Sequence, residues 1–183
     1  HLDGPGLGLG QAEGGEAVAV KADVTQEADI VAALGEAHRR WGSLDVLHNN
    51  VGVSLGGGDA DLMDVTEEAF DHIYRTNLRG TAFACKHALK IMREQRSGAI
   101  INVGSAAAVG LYPYAAYKAT KAGVNALTEQ LALQNALREA PDLIMIGEIR
   151  DKETMQASLL HTLTGHLCLS TIHANNSYHA LSR

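Results

Sequence analysis

The chain has 183 residues, 46% of them hydrophobic and 20% charged, with a formal net charge of −6. That length suits one domain, or one domain and a fragment. The acidic balance argues against a nonspecific nucleic-acid binder, which carries a basic face, and no apolar run reaches the roughly eighteen residues of a membrane span.

Residues 1–15, HLDGPGLGLGQAEGG, are rich in glycine, which disfavours helix and strand alike and predicts an arm. The chain starts at His1 rather than Met, as expected of a fragment, and shows no basic-plus-apolar signal segment. The alternation in 16–22, EAVAVKA, predicts a strand with Asp23 at its carboxyl end. Thr25 is the expected N-cap of a helix over 26–41, with Ile30, Val31, Leu34 and Ala37 on one face. A short buried strand is predicted over 44–47, followed by a Gly-rich loop over 53–61. Thr66 is expected to cap a long helix to about residue 93, with Glu67 and Glu68 suiting its N-terminus. Then come a strand over 99–103, a helix over 114–138, a strand over 143–146, a helix over 152–163 and a strand over 166–172. Strands alternating with helices predict a parallel α/β sheet. Cys85 and Cys168 form no CxxC pair, which fits small buried thiols in a reduced, cytoplasmic compartment.

Tyr117 and Lys121 stand four apart on a predicted helix and so share a face. A nearby ammonium favours the phenolate, which makes tyrosine usable as a general acid or base near neutral pH. Ser105 follows the preceding strand, where it could bond a substrate oxygen. Asn77 sits in the long helix, where its amide can hold a backbone or water relay. An exposed helical Tyr and Lys is the plain alternative for the YxxxK pair. The surroundings add ADVT at 22–25, LDVLHNNVG at 44–52, TNLRGTAF at 76–83, GAIINVGS at 98–105 and YAAYKATKAGVNALT at 114–128, in that order. This ordered set resembles the classical short-chain dehydrogenase/reductase family over about residues 12–133.

The resemblance implies a Rossmann-like, doubly wound sheet. It implies hydride transfer between NAD or NADP and a small-molecule alcohol or carbonyl substrate. It makes Tyr117 the catalytic acid/base, Lys121 the group that lowers its pKa and binds the nicotinamide ribose, Ser105 the polariser of the carbonyl, and Asn77 the keeper of the proton relay. Asp23 and Val24 would flank the adenine, while Asn49, Asn50, Val51 and Gly52 would line the cofactor cleft. Pairing of copies through the two long helices is also implied. The Ser105–Tyr117 loop is one residue short of the commonest family spacing. Family members open with a strand, a Gly-rich turn and a helix that cradle the pyrophosphate. GPGLGLG at 4–10 has no strand before it and too few residues after it for that role. The expected fold is therefore an incomplete parallel sheet lacking its first βαβ unit, with weak cofactor binding. Strand 16–22 would then re-pair with the 44–47 strand or stay loose.

The tail carries APDLIMIGEIRD at 140–151 and TGHLCLSTIHANN at 164–176. A glutamate beyond an apolar strand can orient water near a magnesium-bound triphosphate. The pair of segments resembles the type IV pilus retraction (PilT-like) and secretion ATPases over about 132–183. That resemblance makes Glu148 the Walker B glutamate and assigns His166 and His173 to a His box. Plainer readings are a helix-capping Glu148 and ordinary sheet histidines. His161, His166, His173 and His179 match no metal-ligand motif. No GxxxxGK[ST] phosphate loop occurs, so no ATP/Mg binding or ATPase activity is expected. The expected organisation is an arm at 1–15, a partial Rossmann domain at 16–133 and an ATPase-like fragment at 134–183. The alternatives are an ATPase-derived piece that assembles without catalysis and a non-enzymatic chimeric or truncated product. In the leading expectation, 140–151 supplies a strand where the dehydrogenase family has its sixth.

Overall fold

A computed structural model describes residues 15–136, 143–149, 156 and 167–173. The arm at 1–14, the predicted helix over 152–163 apart from Gln156, and His166 lie outside the described residues. Four strands form one sheet: β1 (Val46–Asn49), β2 (Gly98–Gly104), β3 (Leu143–Ile149) and β4 (Leu167–His173). Their order is β1-β2-β4-β3, and every neighbouring pair is parallel. The helices are α1 (Glu27–Trp41), α2 (Glu67–Tyr74), α3 (Gly80–Gln95) and α4 (Ala115–Ala136). No helix among the described residues is long and apolar enough to cross a membrane.

The core forms where α3 and α4 cross the sheet. Cys85, Ala88, Leu89 and Met92 of α3 meet Ile100 of β2 and Ala132 of α4, with Leu44 closing the cluster. Every residue of β2 is buried, as a central parallel strand requires. Gly98 is needed at its start. Its φ is +149°, and an added Cβ would lie 2.4 Å from Met92 Cγ.

Thr66 caps α2 as expected, its Oγ1 accepting the Ala69 N–H at 3.1 Å. The long helix it starts is not uniform. A π-helical turn over Arg75–Arg79 joins α2 to α3, and it contains Asn77. Such turns insert one extra residue and rotate the side chains within them away from the regular α pattern.

Several expectations need correction. Residues 16–22 form no strand, and Val20 is 41% exposed. Their alternation is real, but a strand also needs a partner to accept its backbone hydrogen bonds. The segment is instead tied to α1 by the Glu16–Arg40 ion pair at 3.1 Å. Thr25 does not cap α1. Gln26 precedes the helix with no side-chain cap, and Thr25 N–H donates to Asp23 Oδ1 at 2.8 Å. The strand expected over 44–47 begins two residues later and lies at the sheet edge, with Val46 40% exposed.

The largest correction concerns the tail. The 143–149 strand does not take the place beside β2. β4 pairs with β2 from Gly98↔Leu167 to Gly104↔His173, and β3 lies outside it. Glu148 is within β3 rather than beyond it, paired with Thr171, and the register slips between Ile146 and Glu148, at Gly147.

Candidate functional site

The site lies at the carboxyl ends of β1 and β2, the edge at which open α/β sheets bind ligands. Three elements meet there. The π turn places Asn77, which is 1% exposed. Its amide clamps the chain leaving β1: Nδ2 donates to Val53 O at 2.8 Å and Oδ1 accepts Val53 N–H at 2.8 Å. The same Nδ2 donates to Thr120 Oγ1 at 3.2 Å, and Thr120 Oγ1 donates to Tyr117 O at 2.9 Å. The Asn77 carbonyl accepts from Thr81 Oγ1 at 2.8 Å.

Lys121 lies one helical turn after Tyr117 and is 5% exposed. Its Nζ donates to Val103 O at 2.7 Å and stands 5.7 Å from the Tyr117 ring centroid. Burial removes water from the ammonium and lowers its pKa from 10.5 to about 8. Gly52 completes the wall. A Cβ there would sit 3.5 Å from Asn77 Oδ1 and 3.6 Å from Lys121 Nζ, so the Gly52 backbone lies against both side chains. The structure thus brings Gly52, Asn77, Tyr117 and Lys121 together.

Ser105 follows β2 directly, and its Oγ accepts the Ala107 N–H at 3.1 Å. No hydrogen bond joins it to Tyr117 among the described residues. Asn49 turns its amide into the core, with Nδ2 donating to Asn102 Oδ1 at 2.9 Å. It reaches the cleft only through the chain that continues into Asn50, the exposed Val51 and Gly52. Val24 docks on the start of α3, where a Cβ at Gly80 would lie 3.0 Å from Val24 O, and Asp23 turns toward Thr25 and Asp29. Asp23 has its carboxyl held below the usual range by hydrogen bonds from Thr25. Of the ATPase-like residues, Glu148 and His173 occupy the same carboxyl edge by register, with His173 paired to Gly104.

The sequence reading missed Asp59, Ser54, Tyr112 and Thr120. The sequence signalled that α4 lacks a local cap, though not that Asp59 supplies one. Helix α4 starts at Ala115, and Tyr112-Pro113-Tyr114 before it offer no Ser, Thr, Asp or Asn to satisfy its first N–H groups, which calls for water or a remote acceptor.

A nicotinamide cofactor can be tested against this geometry. The donors gathered beside Gly52, a buried ammonium and an anchored amide, have the chemistry to bond the hydroxyls of the ribose end. Among the described residues, nothing forms a glycine-rich turn feeding a helix N-terminus at the cleft, so the fit covers that end alone.

Comparison with known proteins agrees with both halves of the chain. Residues 8–145 match the short chain dehydrogenase family, and residues 112–183 match the Type II/IV secretion system protein family. The 3-oxoacyl-[acyl-carrier-protein] reductase FabG of Staphylococcus aureus is 40% identical over 129 residues, covering 70% of this chain and 51% of that protein. The type IV pilus ATPase PilU of Pseudomonas aeruginosa is 52% identical over 61 residues, 33% of this chain and 16% of that protein. The solved structure described as ElxO with NADP bound superposes with a TM-score of 0.59 at 33% identity, covering 75% of this chain and 55% of that one. The chain spans about half the length of the dehydrogenase relatives it matches.

Proposed function

The chain belongs to the short chain dehydrogenase family, and from that premise we propose that it carries the proton-transfer half of an NAD(P)-dependent oxidoreductase site. The observation that carries this reading is the convergence of Tyr117, Lys121, Asn77 and Gly52 at the carboxyl ends of β1 and β2. When bound, the nicotinamide supplies or accepts the hydride. Tyr117 exchanges a proton with the carbonyl or alcohol oxygen of a small-molecule substrate. The Lys121 ammonium, 5.7 Å from the Tyr117 ring, bonds the ribose beside Gly52. Ser105 donates its hydroxyl to the same substrate oxygen. Asn77 holds the β1 loop against α4 so that the cleft keeps its width, with Asn50 and Val51 lining it and Asp23 and Val24 toward the adenine.

The relative from S. aureus is named for 3-oxoacyl substrates, so a 3-oxoacyl thioester is the first probe. With NADPH in excess, oxidation of the cofactor should be measurable, and Tyr117→Phe should lower it roughly 100-fold or more. Turnover that survives Tyr117→Phe would reject the assignment. Cofactor binding itself is proposed to be weak, and saturable micromolar binding of NADH or NADPH would overturn that.

A second reading rests on residues 112–183. We infer an arm at 1–15, a dehydrogenase segment at 16–133 and an ATPase-derived segment from 134, in which Glu148, His166 and His173 are remnants without a phosphate loop. Magnesium-dependent phosphate release abolished by Glu148→Gln would make the ATPase reading the leading one.

A further inference from the structure

We propose that Asp59 is a positioning residue for Tyr117, an inference that rests on the oxidoreductase reading above. Asp59 is 5% exposed although it lies in a loop. Its two carboxylate oxygens divide the work. Oδ1 accepts the N–H of Ala116 at 3.1 Å, and Oδ2 accepts the N–H of Tyr117 itself at 2.9 Å. The neighbouring Ala60 carbonyl accepts Ala115 N–H at 3.1 Å. One loop, 57 residues upstream, thus satisfies three successive N–H groups at the start of α4. A carboxylate suits a helix N-terminus electrostatically as well as by hydrogen bonding.

The same carboxylate holds the far side of the tyrosine. Ser54 Oγ donates to Asp59 Oδ2 at 3.3 Å and contacts Tyr112 Oη at 3.0 Å. The Tyr112 ring packs on the Tyr117 ring, with centroids 5.5 Å apart. Asp59 therefore fixes Tyr117 twice, through its backbone N–H and, by way of Ser54 and Tyr112, through a ring contact. Lys121 is fixed separately, by the Val103 carbonyl of β2. The distance between tyrosine and lysine depends on both anchors, and Asp59 supplies the tyrosine's.

A neutral amide at position 59 keeps the shape but has a single acceptor oxygen, so it serves one of the two N–H groups. The test uses the full chain with 13Cζ-labelled tyrosine and 15N-labelled backbone, Tyr117 being assigned through Tyr117→Phe. In the parent, Lys121→Met should move the Tyr117 Cζ resonance. In the Asp59→Asn background the same substitution should move it by less than half as much. Exchange of the Ala116 and Tyr117 amides should quicken roughly tenfold, while the Ile100 and Ile101 amides keep their protection. Equal movement of the resonance in both backgrounds overturns the proposal, even if exchange quickens, because Asp59 would then cap the helix without setting the tyrosine. A parent whose Tyr117 resonance ignores Lys121→Met fails the oxidoreductase reading and takes this proposal with it. If Asp59→Asn loses the protection of β2, Ser54→Ala decides the matter. It keeps the carboxylate and removes the link to Tyr112, so it should weaken the coupling partly, and unchanged coupling counts against the proposal.

Discussion

Burial of Lys121 costs folding stability, and the cost depends on pH. The side chain's pKa falls from 10.5 in the unfolded chain to about 8 in the fold. Above pH 10.5 it is neutral in both states. Between the two values the unfolded chain holds a proton that the folded chain has released, so stability rises with pH across that window and the cost is fully present below pH 8. The shift corresponds to about 3 kcal/mol. Urea unfolding of the parent and of Lys121→Met should therefore diverge in the parent's favour by about 2 kcal/mol between pH 7.5 and pH 10. A pH-independent difference would show that Lys121 keeps its solvated pKa. The Tyr117–Lys121 pair was legible in the sequence because four residues is one helical turn. The burial of Lys121 was not, because it is decided by β2, whose Val103 carbonyl takes the ammonium. Cys85 is similar in kind. Burial pushes its thiol up to about 12, so under native conditions peptide mapping should find it unalkylated at pH 8, and alkylated once urea opens the core.

At the scale of elements, helix ends explain both the successes and the misses. Thr66 reads as a cap in the sequence and acts as one, because its acceptor and the Ala69 N–H are local. Thr66→Ala should cost about 1 kcal/mol in thermal or urea unfolding. Thr25 reads equally well and does not cap, because the chain before α1 turns through Asp23 instead. Helix α4 has no local cap at all, and its acceptor arrives from residues 59 and 60. The π turn was also beyond local reading. Its sequence, RTNLR, has ordinary helix formers, and what turns Asn77 inward is the set of acceptors and donors waiting at Val53 and Thr120. In the turn into β2, Gly98→Ala should destabilise by about 1–3 kcal/mol, since it meets both a positive φ and the buried Met92. If the variant unfolds at the parent's midpoint, Met92 has room to yield and the packing described for α3 is too tight.

For the whole molecule, β2 is the centre. It is flanked by β1 and by β4, and its Ile100 stands in the main apolar cluster at 1% exposure. Ile100→Ala should cost about 2–5 kcal/mol in chemical unfolding. The same change at the fully exposed Leu111 should stay within about 0.5 kcal/mol. The β2–β4 pairing joins the dehydrogenase-like half to the ATPase-like tail. Removing residues 150–183 should bare the β2 edge, speed amide exchange along Gly98–Gly104 and promote association of chains. Unchanged protection of β2 after that deletion would mean that β4 contributes little to the sheet.

The sequence by itself determined the class of the fold, the dehydrogenase family of about residues 12–133, the likeness of its tail to a second family and the spacing that makes Tyr117, Lys121, Ser105 and Asn77 candidates. These rest on local spacing, on strand and helix periods and on ordered motifs, all of which are properties of neighbouring residues. The tertiary structure alone decided that 16–22 stays out of the sheet, that the 167–173 strand and not the 143–149 strand lies beside β2, and that Asp59 reaches α4 from another loop. The physical reason is common to all three. Backbone N–H and C=O groups accept whichever partner the assembled sheet and loops bring within about 3 Å, and the chain's own order does not specify which partner that is.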